Sequence, residues 1–176
     1  MCDSEPESFL SESPTTGHRP LRRAWIPFAV AAGVIVIDQV TKSLAQHHLS
    51  IYPHHVVGPF GFQLTYNSGS SFSLFSGSTT LLTILDVIFV LVLGVVAFRT
   101  TSTAIRVGMG LILGGALGNL IDRFIAHHNG GVVDFVTLTH WPTFNGADSA
   151  ITIGVIVVIV SLLFDRRPSP TPDSSQ

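Results

Sequence analysis

The chain has 176 residues, a formal net charge of -2, 11% charged residues and a mean hydropathy of +0.50. Soluble domains carry about a quarter of charged residues, so this is an integral membrane protein, and its balance lacks the basic field expected of a nucleic-acid binder. Cys2 is the only cysteine, which excludes an intrachain disulfide and a cysteine-rich metal site; no apolar segment precedes it that would make it a lipidation site.

Residues 1–23, rich in Ser, Pro and acidic side chains, read as a disordered cytoplasmic tail, and residues 166–176 have the same character. Between them, residues 24–165 read as one membrane domain. Four apolar stretches approach the roughly 20 residues of a helical span: Trp25 to Leu44, Thr79 to Phe98, Ile105 to Ile125 and Ala147 to Phe164. The first ends in Asp38 and Lys42 with no small-residue cleavage site after it, so it reads as a retained helix and not a signal peptide. Arg19, Arg22, Arg23, Arg99, Arg106, Arg166 and Arg167 share one side if both termini are cytoplasmic, the pattern of the positive-inside rule. Lys42 and Arg123 fall near outer helix ends and need another reason. No internal repeat suggests an inverted-repeat transporter.

The loop 50–77 mixes β-branched and aromatic residues in the runs "HHVV", "FQLTY" and "SFSLF", bounded by Pro and Gly, which predicts short strands. The short connection from Arg99 to Thr103 makes the second and third helices antiparallel neighbours. The outer link 126–146 carries a Gly-Gly turn and a possible strand at "VVDFVTL". Trp25 and Trp141 suit opposite membrane interfaces. The expected fold is an all-α membrane protein of four transmembrane helices, both termini cytoplasmic, with a small extracytoplasmic β-sheet made by the loop between helices one and two.

Polar residues inside or beside such helices are functional hypotheses by default. Asp38 and Lys42, spaced i, i+4, share a helix face; they are either an ion pair with Lys42 snorkelling to the headgroups or support for a site. Gly114 and Gly118 form a small-xxx-small pair for close helix packing. Asn119, Asp122 and Arg123, at i, i+3 and i+4, line one stripe at the outer end of the third span, either as an interfacial salt bridge or as a wall that grips a peptide backbone through the Arg fork. Asp134 and Asp148, each flanked by apolar residues and expected at one membrane face, suggest an acid/base pair in which only one carboxylate ionises easily. Asn145 and Asp148 also read as a helix cap. Asp86 lies within the second span without an assigned role. The doublets His47-His48, His54-His55 and His127-His128, with His140, lack metal-ligand spacing and read as solvated loop residues. No G-x-S-x-G, Walker or dinucleotide motif occurs, and no base is tied to Ser70, Ser71 or Ser73.

Five blocks in order, "DQVTK" (38–42), "NSGSSF" (67–72), "GGALGNLIDR" (114–123), "VVDF" (132–135) and "FNGADSAI" (144–151), resemble the type II bacterial signal peptidases, the lipoprotein signal peptidases. The resemblance spans about residues 25 to 165. It implies an aspartyl endopeptidase of the bacterial inner membrane, with its active site at the extracytoplasmic face, that cuts the signal peptide from a prolipoprotein before its diacylglyceryl-modified cysteine. It implies Asp134 and Asp148 as the catalytic pair. Asn67, Gly69, Asn119, Arg123 and Asn145 match residues that line the site, with Asp38, Lys42 and Asp122 in support. No cofactor or metal is implied; the partners are the lipid-modified substrate and membrane lipid, and no oligomer follows. Ser71 replaces the family's usual Ala, and the linker "FIAHHNGG" is longer than the common form. The rival reading is a small membrane transport or binding protein with its carboxylates along a cation or proton path.

Overall fold

The structure, a computed structural model, describes residues 23–67, 79–100, 102–125 and 130–164. Four helices run as α1 (Ile26–His48), α2 (Thr79–Arg99), α3 (Thr103–Ile125) and α4 (Gly146–Phe164), and four strands as β1 (His54–Val57), β2 (Phe60–Asn67), β3 (Val132–Leu138) and β4 (Trp141–Phe144). Among the described residues, Ile26–His48, Thr103–Phe124 and Gly146–Phe164 are long and apolar enough to cross a membrane. Observed α1 outruns the expected span by four residues at its C-terminal end, from Leu44 to His48, its backbone ladder continuing until the Leu49 N–H donates to the Ala45 carbonyl.

α3 is the central helix, packed on α1 and α4 and, less extensively, on α2. Its glycines set the spacing. A Cβ at Gly114 would stand 2.8 Å from Ala31 Cα and 2.7 Å from Val34 Cβ of α1, so only a residue without a side chain allows these backbones to approach. On the other side, a Cβ at Gly115 would meet the Ala147 carbonyl oxygen of α4 at 2.4 Å. α2 stands outside this trio with exposed Ile84, Ile88, Leu91 and Val95, the surface expected of a helix facing hydrocarbon.

The sheet corrects the expectation that the loop between the first two helices makes it alone. Its order is β1-β2-β3-β4, all antiparallel, so half comes from the α3–α4 link. β1 and β2 fall on the predicted "HHVV" and "FQLTY", β3 on "VVDFVTL", whereas "SFSLF" lies outside the described residues. β4, "WPTF", was not expected because proline lacks the N–H a ladder needs. It is tolerated here on an edge strand. Pairing of β2 with β3, Thr65 opposite Asp134 and Asn67 opposite Val132, gathers at one end the C-termini of α1 and α3 and the N-termini of α2 and α4. Arg23, Arg99 and Arg106 lie at the other end.

Candidate active site

The buried polar residues converge where this sheet meets the helices. Lys42 Nζ lies 2.7 Å from Asp38 Oδ2, 2.9 Å from Asp122 Oδ2 and 2.9 Å from Asn119 Oδ1. Three ammonium donors thus meet three acceptors. Lys42, Asp38 and Asp122 are all at most 4% exposed, which excludes snorkelling to headgroups. Each carboxylate also holds a second element. Asp38 Oδ1 accepts the Ala147 N–H of α4 at 2.9 Å, and Asp122 Oδ2 accepts the Val133 N–H of β3 at 3.0 Å. Gln39, which the sequence did not single out, donates to Asp122 Oδ1 at 3.0 Å and to the Gly118 carbonyl at 3.2 Å.

Because Lys42 can only donate, it fixes the Asn119 amide with its oxygen inward. Asn119 Nδ2 is then free to donate to Asp148 Oδ1, at 2.8 Å. Asn145 is fully buried and works the same way: its Nδ2 reaches Asp134 Oδ1 at 2.7 Å, Asn119 Oδ1 at 3.1 Å and the Val133 carbonyl at 3.2 Å. Its Oδ1 accepts the Asp148 N–H at 3.0 Å, while Asp148 Oδ2 accepts the Asn145 N–H at 3.2 Å. That reciprocal pair is a capping box across the first turn of α4. Asn67 closes the far side, its Nδ2 donating to Asp134 Oδ2 at 3.0 Å.

Asp134 and Asp148 therefore lie on either side of one asparagine, every carboxylate oxygen accepting a hydrogen bond. Asp134 is 1% exposed. Burial, and then the charge of Asp148, push its pKa up to about 6, against the opposing pull of Asn67, Asn145 and Lys42. A carboxyl group whose pKa is raised to about 6 beside a half-buried partner is equipped for acid/base work. Beyond Asp148, Leu138, Trp141, Phe144 and Ile153 line a largely apolar cavity of about 330 Å³.

The expected stripe on α3 splits. Asn119 and Asp122 share Lys42 with α1, whereas Arg123 turns to α2 and pairs with Asp86. One residue is about 100° of helix rotation, enough to send adjacent side chains to different neighbours. Gly69 lies outside the described residues. Asp86 was left without a role by the sequence; its only signal was being the sole acid in an otherwise apolar helix.

Known proteins resemble this chain in sequence and in fold. Residues 30–164 match the family model described as signal peptidase (SPase) II. The chain belongs to the signal peptidase II family. It is 38% identical to the lipoprotein signal peptidase of Rhodococcus jostii over 96% of this chain and 86% of that one. With the lipoprotein signal peptidase of Pseudomonas paraeruginosa it shares 36% identity over 83% of this chain and 91% of that one. A solved bacterial membrane enzyme superposes with a TM-score of 0.70 at 31% identity, covering 79% of this chain and 93% of that one. A signal peptidase II is a peptidase of lipoprotein processing, and the rival reading of a cation path finds no support in these comparisons.

Proposed function

We propose that this signal peptidase II cleaves diacylglyceryl-modified prolipoproteins by an aspartyl mechanism, with Asp134 and Asp148 as the catalytic pair. The observation that carries the reading is the placement of both carboxylates around Asn145, with Asp134 holding a proton up to about pH 6. Asp148, the half-buried member, takes a proton from water as the oxygen adds to the scissile carbonyl. Asp134 donates its proton to the carbonyl oxygen, forming a tetrahedral diol. Collapse of the diol breaks the C–N bond as one diol hydroxyl returns its proton to Asp134, and the proton gained by Asp148 leaves with the new amine. Peptide and water become acid and amine, with no metal or cofactor in the balance.

Four helices span the membrane, α2 included, with both termini in the cytoplasm of a bacterial inner membrane. The grouping of Arg23, Arg99 and Arg106 at the end away from the sheet supports this orientation, which sets the site at the extracytoplasmic face. A substrate anchored there by its lipid needs to move only laterally to reach the two carboxylates. Asn119, Asn145 and Asn67 hold the pair, Asp38, Lys42 and Asp122 brace it, and Arg123 binds substrate, a role the motif match extends to Gly69.

The test is cleavage of a lipid-modified prolipoprotein by purified protein in detergent. Asp134→Asn and Asp148→Asn should each abolish cleavage while the helical circular dichroism is kept; substantial turnover by either variant removes that residue from the pair.

A further inference from the structure

Arg123 holds a buried polar group that the network around Asp134 and Asp148 does not use. Its Nη1 donates to Asp86 Oδ2, and its Nε is buried without a hydrogen-bond partner among the described residues. A bidentate salt bridge would engage two N–H groups of the guanidinium fork; among the described residues only Nη1 donates to Asp86. The other carboxylates near the site are committed elsewhere: Asp122 to Lys42, Gln39 and Val133 N–H, Asp134 to Asn67 and Asn145. Arg123 also lines a cavity of about 540 Å³ between α2 and α3, walled by Thr80, Thr83, Ile84, Val87 and Phe124. Asp86 stands among apolar residues of α2, where a carboxylate is costly unless it has a partner and a task.

We propose that Asp86 is a positioning residue of the peptidase, anchoring Arg123 by one edge of its guanidinium so that the Nε edge receives a carbonyl oxygen of the bound substrate. This rests on the assignment of the cleavage site to Asp134 and Asp148. Asp86 itself touches no reacting atom. Its effect is on substrate affinity, because it decides where the Arg123 fork points when the substrate arrives.

The experiment uses the full chain in detergent and a lipid-modified prolipoprotein peptide. It compares wild type, Asp86→Asn, Asp86→Glu and the exchange Asp86→Arg with Arg123→Asp. Losing one oriented charge-assisted hydrogen bond should raise KM about tenfold in Asp86→Asn with kcat within about twofold, and Asp86→Glu should recover most of that KM. The exchange should restore thermal stability but not KM, since it keeps the ion pair and moves the fork to the wrong helix. An unchanged or lowered KM in Asp86→Asn, or full activity in the exchange, overturns the proposal. Nitrogen-15 spectra of the Arg123 Nε–H give a readout independent of turnover. The resonance should differ between wild type and Asp86→Asn, and coincident resonances also overturn the role. If wild type fails to cleave, the aspartyl reading falls, and the spectra alone decide the role of Asp86.

Discussion

Asn145 and Asp148 cap each other: each backbone N–H donates to the other's side-chain oxygen, at 3.2 and 3.0 Å. The same Asn145 amide that starts α4 also contacts Asp134. Helix initiation and the alignment of the two carboxylates are thus one structural event.

Asn145 variants should separate the two roles. Serine caps a helix about as well as asparagine but has no amide to reach Asp134. Asn145→Ser should therefore keep most of the stability while cleavage falls at least about a hundredfold, as for loss of an aligned polar group in an active site. Asn145→Ala should lose activity and in addition about 1–2 kcal/mol of stability. Thermal melts alongside cleavage assays check this, and equal activity in Asn145→Ser and wild type would dissociate Asn145 from the pair.

Asp134 makes stability depend on pH with a definite sign. Its pKa rises from 3.8 to about 6 on folding, so between those values the folded chain holds a proton that the unfolded chain has lost. Stability from this group is present in full below about pH 4 and is lost as pH rises to about 6, amounting to about 3 kcal/mol. The pH dependence of the melting temperature, wild type minus Asp134→Asn, should show this fall and flatten above about 6. The free-enzyme kcat/KM should bend downward above the same pH as Asp134 loses its proton.

The sequence made some of this legible and hid the rest. Asp38 and Lys42 are neighbours at helical spacing, so their pairing follows from the chain itself. Asp122 and Asn119 completing the coordination of Lys42 does not, because it depends on how closely α1 approaches α3, which Gly114 sets. β3 carries alternation and β-branched residues, whereas β4 holds a proline and becomes a strand only because β3 offers it an edge. Arg123 was read as continuing the stripe of Asn119 and Asp122; its true neighbour, Asp86, lies on another helix and has no local signature. Gln39 was passed over since an uncharged residue beside Asp38 gives no signal of its reach to α3.

Lys42 offers a sharper stability test. Removing it leaves Asp38 and Asp122 buried and facing one another without a cation, a loss of about 3–5 kcal/mol. Lys42→Met should therefore unfold in milder denaturant and lose activity. The triple change with Asp38→Asn and Asp122→Asn should regain stability but not activity, because Asn119 loses the donor that orients its amide. Chemical denaturation of wild type and the two variants tests this; no rescue of stability would mean that charge is not the cause.

Two glycines should respond oppositely to alanine. A Cβ at Gly118 would stand 2.6 Å from Asp38 Oδ2, so Gly118→Ala must push that carboxylate off Lys42 or the Ala147 N–H, costing about 1–3 kcal/mol. Gly33, within α1, has nothing within 4 Å of its would-be Cβ. Gly33→Ala should gain up to about 1 kcal/mol from helix propensity. Melting of the two variants in the same detergent decides it.

Half of the sheet precedes α2 and the other half follows α3, and β2 meets β3 between residues about 70 apart, such as Thr65 and Asp134. During synthesis the β1–β2 hairpin therefore precedes its partner strand β3 by two helices. Asp122 likewise lacks the Val133 N–H until β3 is made, and Asp38 the Ala147 N–H until α4 begins. The ring of polar contacts closes only when the second hairpin has docked and α4 is in place. A chain ending before residue 145 carries Asp134 but lacks the Asn145 amide that contacts it.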